Sequence, residues 1–202
     1  DAEHGAEAVA LTLETLECLA QDCAPRVRAI LSEEIKHLAG VPHDVVLGLA
    51  RDAEMAVAVP VLEYSPLLSD ADLIEIIACG QVRGVLRAIA RRKPLSANVS
   101  DSLVQSLDVP AVAALLVNPD AAIRKETLER VASQAREIES WHLPLALRVD
   151  LSARAMRRVA SFVGAAILES LAARHDLSPA MRSHLNRRLR LRLDEGTGDA
   201  EA

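Results

Sequence analysis

Proline recurs along this chain at a near-regular interval, and this spacing constrains the fold more than any other feature. The prolines at positions 42, 66, 94, 119 and 144 are separated by 24, 28, 25 and 25 residues. Between them the sequence is amphipathic and dominated by helix-forming residues. Because proline interrupts helices, a regular series of prolines predicts a stack of short helical hairpins. We therefore expect an all-α fold, a stack of short hairpins with roughly ten residues per helix.

The amino-acid composition also favours helices over sheets. Half of the 202 residues are apolar, whereas Trp, Tyr and Phe occur once each. A chain rich in Ala and Leu and poor in aromatic residues is typical of closely packed helices. No apolar run approaches the length of a membrane span, so we expect no membrane association.

The cysteines and histidines indicate neither a metal site nor a catalytic centre. The three cysteines, Cys18, Cys23 and Cys79, are an odd number, which argues against a disulfide framework and fits the reducing cytoplasm. They lack further ligands at metal-binding spacing, and we expect buried thiols that act as small hydrophobic groups. His37 follows acidic residues on a helix but lacks the motif of a phosphoacceptor. We expect no cofactor and no enzymatic activity.

The proline interval also divides the chain into repeats and an end module. The step from Pro144 to Pro179 is 35 residues, longer than the others. We expect a single helical domain over residues 1–195. Within it the repeats occupy about residues 6–150, and a C-terminal helical module at about 151–195 caps the stack, because a terminal repeat must cover its neighbour's apolar face. Residues 196–202 are expected to form a disordered tail.

Polar residues near the prolines predict where helices begin. The predicted caps are Ser69, Asp108, Asn118 and Ser178. Ser69 and Asp72 have the spacing of a capping box, and Asn118-Pro119 is expected to open a helix from Ala121 to Ile138. Pro60 should kink its helix or end it early.

Three further helices are predicted from apolar periodicity. The first spans about Ala6 to Ala20 and follows a frayed N-terminus. Residues 151–174 are expected to form one long helix. The last helix follows Ser178-Pro179 and reaches about Leu193.

Six short motifs lie between Leu49 and about Leu128: Leu49-Ala50-Arg51-Asp52, Val57-Ala58-Val59-Pro60-Val61-Leu62, Ser65-Pro66-Leu67-Leu68-Ser69-Asp70, Ala88-Ile89-Ala90-Arg91-Arg92, Val99-Ser100-Asp101 and Leu115-Leu116-Val117-Asn118-Pro119. They resemble a bacterial family, the domain of unknown function numbered 2336. The resemblance implies HEAT-like helical repeats. Together with the proline interval, we expect a right-handed superhelical stack of short HEAT-like hairpins. It implies no catalytic residues.

A row of arginines is predicted on one helix. Arg83, Arg87 and Arg91 are four residues apart and thus share a face, which Arg92 extends. Because the apolar stripe of this helix is Val82, Val85, Leu86 and Ile89, the row should point away from the core. It is either a solvated face or a surface for an acidic partner.

The C-terminal module carries most of the positive charge. Residues 151–195 contain nine arginines and four acidic residues, although the whole chain has a net charge of −6. These arginines could contact the acidic N-terminal repeats, a second copy of the chain, or a DNA backbone. Protein contact is favoured over nucleic acid, because the chain is acidic, has few aromatic residues for base stacking and lacks a recognised DNA-reading motif.

Trp141, the only tryptophan, lies between two predicted helices. It either anchors a partner or, as we prefer, fills the gap between two repeats.

The sequence as a whole predicts a protein–protein interaction scaffold or adaptor of the bacterial cytoplasm. Its partner would be a protein with an acidic segment or a second copy of the chain. The alternative is DNA-backbone binding through the C-terminal helices. The residues expected to contact a partner are Arg83, Arg87, Arg91, Arg92, Arg154, Arg157, Arg158, Arg187 and Arg188.

Overall fold

The computed structural model describes residues 2–22, 24–80 and 84–198, and within them the side chains from residue 10 to residue 194. These residues form thirteen α-helices. The odd-numbered helices are α1 (Ala2–Ala20), α3 (His43–Ala50), α5 (Asp70–Cys79), α7 (Ala97–Gln105), α9 (Lys125–Gln134), α11 (Ala153–Val159) and α13 (Pro179–Gly198). The even-numbered helices are α2 (Pro25–Ile35), α4 (Met55–Tyr64), α6 (Val85–Ala90), α8 (Val109–Val117), α10 (His142–Leu147) and α12 (Ala165–Ala172).

Two 3-10 turns, Ala135–Glu137 and Glu139–Trp141, join α9 to α10. Within the described residues the β structure consists of one parallel bridge between Leu95 and Ala121. The all-α prediction is confirmed. None of the described helices is both long enough and apolar enough to cross a membrane.

The helices pack in two layers. From α2 to α12, each even-numbered helix contacts the next even-numbered helix, and the odd-numbered helices from α5 to α13 do the same. The core lies between the layers and is almost entirely aliphatic, with Leu62, Ile89, Leu115, Leu145 and Leu168 each at most 1% exposed. Burying an aliphatic side chain of this kind contributes about 1.5–3 kcal/mol.

Short-range capping sets the start of several helices, as the sequence predicts. Ser69 and Asp72 form a reciprocal capping box at α5. The side chains of Asp108 and Ser178 accept hydrogen bonds from backbone N–H groups in the first turns of α8 and α13. Such a cap contributes about 1 kcal/mol.

Asn118 has a different role from the predicted one. It does not begin a helix over Ala121–Ile138, and α9 starts only at Lys125. Asn118 ends α8, and its buried side-chain amide donates to the carbonyl oxygens of Ala90 and Arg92 at 2.9 and 2.8 Å. The residues that follow it pair with Leu95 instead of coiling, since Ala122 N–H donates to Leu95 O at 2.9 Å.

The C-terminal module also differs from its prediction. The single helix expected over 151–174 is two helices, α11 and α12, separated by a turn that ends at Gly164. Glycine is a poor helix former, which fits a break at this point. The sequence did not predict the break because the helical spacing of apolar residues continues across the turn. The last helix extends to Gly198 rather than to Leu193, so residues 196–198 of the expected disordered tail are helical. Residues 199–202 lie outside the described part of the chain.

Two N-terminal helices also differ in their bounds. Helix α1 begins at Ala2, where the sequence suggested a frayed end. Helix α4 contains Pro60 without ending early and runs from Met55 to Tyr64. The carboxylate of Asp52 accepts two hydrogen bonds from Arg28, at 2.6 and 3.1 Å. This interaction, opposed by burial, lowers the pKa of Asp52.

A series of side chains links successive even-numbered helices, and we call it the carbonyl ladder. Its rungs are Arg92, Asn118, Arg148 and Arg174, each of which follows the end of one even-numbered helix. Every rung donates to backbone carbonyl oxygens at the end of the preceding even-numbered helix or in the few residues after it. The last carbonyls of a helix have no partner within the helix, and the ladder supplies donors to this part of the chain.

The three arginine rungs have similar geometry. Arg92 is 9% exposed and donates to Leu62 O at 2.6 Å and Ser65 O at 2.7 Å. Arg148 reaches the carbonyls of Asn118 and Ala121, at 3.1 and 3.2 Å.

Arg174 likewise donates to the carbonyls of Arg148 and Val149, at 2.6 and 3.1 Å. Arg148 and Arg174 are each held by a carboxylate two residues further on, Asp150 and Asp176 respectively. The hydrogen bond from Arg174 lowers the pKa of Asp176.

The arginine rungs belong to a short repeated motif, Arg-x-(Pro/Asp)-Leu-Ser, at 92–96, 148–152 and 174–178. In each copy the arginine reaches back, the leucine is buried and the serine caps the following odd-numbered helix. The motif therefore joins one hairpin to the previous and the next.

Candidate functional site

An open groove of about 760 Å³ crosses the even-numbered layer between α4 and α10. Helices α6 and α8 form most of it, and the turn before α10 closes one side. Its lining residues are Glu63, Arg87, Arg91, Lys93, Val109, Pro110, Ala113, Ala114, Val117, Asn118, Pro119, Ser140 and Pro144. We call it the basic groove.

The cations of the basic groove lie along one wall. Arg87 is on the last turn of α6 and Arg91 is the residue that ends this helix, and both are exposed. Neither forms an ion pair with a carboxylate among the described side chains. Lys93 lies 3.7 Å from Asp120, and both side chains are mostly exposed, so this contact contributes little.

The floor of the groove is apolar. Helix α8 supplies Val109, Ala113 and Ala114, and it has no charged residue along its length. Val117, at its end, is 67% exposed. A helix that is apolar on every side normally packs on every side, so the exposed part of α8 is a surface available for contact.

A second, smaller depression of about 240 Å³ continues the floor towards α10. It shares Val117 and Pro144 with the basic groove and adds Leu147 and Val149, which are 63% and 82% exposed. Arg148 also lines it, but its guanidinium is occupied by the carbonyl ladder. The whole surface thus runs from a cationic wall to an apolar end.

One acidic residue, Glu63 near the end of α4, also lines the groove. Glu63 accepts a hydrogen bond from the Tyr64 hydroxyl at 2.9 Å. This hydrogen bond raises the pKa of Tyr64, whose ring also lies 5.0 Å from the Lys36 ammonium. The lining residues include Arg87, Arg91 and Lys93 but Glu63 as their only carboxylate, so the groove carries a net positive charge.

The structure brings together only part of the predicted arginine row. Arg87 and Arg91 share the groove wall, whereas Arg83 and Val82 lie outside the described residues. Arg92 is turned into the protein, and burial lowers its pKa. The expectation that Arg92 contacts a partner is wrong, because its donors are used by Leu62 and Ser65.

The C-terminal arginines lie away from the groove, on α11 and α13. Arg154, Arg157, Arg158 and Arg187 are exposed, and Arg188 is half-buried. Arg154 lies 3.7 Å from Glu129, its one ion pair among the described residues.

Three of these cations surround His184. Burial first, and then the charges of Arg187, Arg188 and Arg157, lower the pKa of His184. Arg157, Arg158, Arg187 and Arg188 form no ion pair with any described side chain, so the alternative in which they pair with the acidic N-terminal repeats does not hold for these four.

The remaining sequence candidates have structural positions of their own. Trp141 is 1% exposed and its indole N–H donates to Val109 O at 2.9 Å, so it fills the gap between repeats as predicted. Cys18 and Cys79 are exposed free thiols, so the expectation of buried thiols is wrong for both. Cys23 lies outside the described residues. Within the described part of the chain, no three His, Cys, Asp or Glu side chains converge as a metal site would require.

The sequence did not predict the apolar part of the site. Val117, Leu147 and Val149 follow the apolar pattern of core residues, and nothing local distinguishes them from buried neighbours. The available signal was α8 itself, whose nine residues carry no charge.

A family model described as "Uncharacterised protein conserved in bacteria (DUF2336)" matches residues 57–202. The chain therefore belongs to this family. The match includes the C-terminal module, which the resemblance in the sequence did not reach. No curated protein and no solved structure matches the chain significantly.

Proposed function

We propose that this member of the DUF2336 family is a protein-interaction scaffold whose basic groove binds a partner segment that is both acidic and apolar. The observation that carries the proposal is the pair Arg87 and Arg91, which have no carboxylate partner among the described residues and stand beside an exposed apolar floor. An unpaired arginine favours a planar, bidentate partner such as a carboxylate. The floor would bury apolar side chains of the same segment.

We further propose that the two helical layers form a right-handed, HEAT-like superhelix. The regular contacts between successive helices of each layer support this, as does the ladder that joins each hairpin to the previous one. Repeat arrays of this kind bind partners along an extended surface, and the basic groove spans several repeats. The exposed thiols of Cys18 and Cys79 favour a reducing compartment, and we place the scaffold in the cytoplasm, with no enzymatic activity.

The dimensions of the site suggest the form of the ligand. Helices in contact lie about 8–10 Å apart, so the surface from α4 to α10 extends across roughly 25–30 Å. An amphipathic helix of about 16–20 residues covers that length. Acidic residues at one end would meet Arg87 and Arg91, and apolar residues at the other end would cover Val117, Leu147 and Val149.

Selection from a random peptide library displayed on phage tests this proposal. We expect the wild-type chain to enrich peptides that combine Asp or Glu with bulky apolar residues. Arg87→Glu with Arg91→Glu should weaken these peptides at least about tenfold, or about 1.4 kcal/mol. Val117→Ser should cause a smaller loss because it removes apolar contact but no charge.

The matched control is Arg130→Glu with Arg136→Glu. It makes the same change in net charge at exposed positions outside the basic groove. The proposal is wrong if the enriched peptides lack acidic residues, or if the control variant weakens them as much as the groove variant does.

A further inference from the structure

The two ends of the helical stack carry opposite charge together with exposed apolar side chains. Helices α1 and α2 have neighbours α3 and α4 on one side, and α13 has neighbours α11 and α12 on one side. The outer faces of both groups of helices include exposed leucine or isoleucine.

The N-terminal end face is formed by the outer sides of α1 and α2. On α2, Ser32 faces α4, where its hydroxyl donates to Val57 O at 2.6 Å. Ile30 and Glu34 lie on the opposite side of this helix, and Ile30 is 57% exposed. On α1, Leu11 is 66% exposed.

Acidic residues accompany these apolar side chains. Glu14 follows Leu11 by three residues and therefore shares its face. Glu14 and Glu34 are exposed and form no ion pair with another described side chain. Three cations, Arg26, Arg28 and Lys36, are also present on α2 and the residue after it, but Arg28 is paired with Asp52 and Lys36 with Glu33.

The C-terminal end face is formed by the outer side of α13. The inner side holds the buried Leu185 and Arg192, whose guanidinium donates to Ser161 O at 3.4 Å. Arg187, Arg190 and Leu191 lie on the opposite side, and Leu191 is 49% exposed. Neither Arg187 nor Arg190 forms an ion pair within the described part of the chain.

We propose that copies of this chain associate head to tail, with the outer side of α13 of one copy packed on the outer side of α1 and α2 of the next. The charges are complementary, and each face supplies the apolar area that the other lacks. The contact joins two different surfaces, so it is heterologous and can repeat from copy to copy. This inference does not depend on the basic groove.

Variants that reverse the charge of one end face test the proposed head-to-tail contact. One variant, Arg187→Glu with Arg190→Glu, makes both end faces acidic, and the other, Glu14→Arg with Glu34→Arg, makes both basic. We expect wild-type chain to associate in sedimentation velocity between about 1 µM and 1 mM. Each variant alone should remain monomeric over most of that range.

An equal mixture of the two variants should associate again, because every acidic end then meets a basic end. Association of wild type should weaken when NaCl rises from about 0.05 to about 0.5 M, since salt screens exposed charges. Arg130→Glu with Arg136→Glu and Glu126→Arg with Glu137→Arg are the matched controls and should behave as wild type. Far-UV circular dichroism checks that every variant retains its helices.

Three results would overturn the proposal. The first is a wild-type chain that stays monomeric throughout the concentration range. The second is association that persists in either end-face variant, and the third is a mixture that fails to associate. Loss of association in the basic-groove variant but not in the end-face variants would show that the self-contact uses the groove instead.

Discussion

Replacement of Arg92 by methionine tests whether the carbonyl ladder stabilises the fold. Methionine replaces the apolar stem of the side chain but removes the guanidinium donors that reach Leu62 O and Ser65 O at 2.6 and 2.7 Å. Hydrogen bonds to a charged group contribute about 1.5–3 kcal/mol each. The loss of two is partly offset because a guanidinium no longer has to be buried, so we expect a net loss of about 3 kcal/mol.

Urea unfolding followed by far-UV circular dichroism measures this loss directly. In a chain of this length 1 kcal/mol corresponds to about 2–4 °C, so the thermal midpoint should fall by roughly 6–12 °C. Arg87→Met is the matched control: the same substitution at an exposed arginine of the same hairpin should cost less than about 0.5 kcal/mol. Arg92→Lys should be intermediate, because lysine keeps the charge but loses the planar fork. Equal stabilities for the Arg92→Met and Arg87→Met variants would refute the stabilising role of the ladder.

Three further predictions concern other parts of the molecule. Asp52→Asn should destabilise the fold at neutral pH, and the difference in stability between variant and wild type should shrink as the pH falls below about 4. Arg28 lowers the pKa of Asp52 in the folded state, so the ionised carboxylate stabilises the fold above the unfolded pKa. This stabilisation is lost as the carboxylate is protonated. A pH-independent difference in urea midpoint would contradict this. Trp141→Phe should lower the free energy of unfolding by about 1–3 kcal/mol in the same assay, because it removes the indole N–H that donates to Val109 O in a buried site. An unchanged urea midpoint would argue against a stabilising role for Trp141 between the repeats. Fluorescence anisotropy should show no binding of duplex DNA at about 50 mM salt; binding that falls steeply with salt would favour nucleic acid as the partner of the C-terminal arginines.

Local signals in the sequence predict local structure well. Ser69 with Asp72, and Asp108 and Ser178, cap helices as expected, because a cap depends on a donor two or three residues away. The proline interval similarly reflects the length of each hairpin.

The residues whose roles were predicted wrongly, Arg92 and Asn118, have hydrogen-bond partners that are distant in the sequence. Arg92 follows Arg91 directly, yet one is buried and the other exposed, because the carbonyl oxygens that hold Arg92 belong to residues 27 and 30 positions earlier. Asn118 is a residue type typical of an N-cap, but its side-chain amide donates to two ladder carbonyls that lie 26 and 28 residues earlier. For Arg92, the repetition of Arg-x-(Pro/Asp)-Leu-Ser along the chain could have indicated such a role, whereas Asn118 lies outside that motif.

The candidate site was predicted in part for the same reason. The spacing of Arg87 and Arg91 places both on one wall, which helical geometry alone requires. The apolar floor could not be predicted, because the exposure of Val117 depends on how α8 is covered by α6 and α10. Periodicity identifies which residues share a face, but not which face the neighbouring repeats leave open.

The direction of the carbonyl ladder has a consequence for synthesis on the ribosome. Every rung reaches towards the N-terminus, so the last carbonyl oxygens of α4 remain bound to water until Arg92 has been translated, 27 to 30 residues later. Domains form as their N-terminal parts emerge, and each hairpin of this nascent chain is completed by the hairpin that follows. A chain released just after α4, α6, α8 or α10 would therefore end in a hairpin that lacks the rung supplied by the next hairpin.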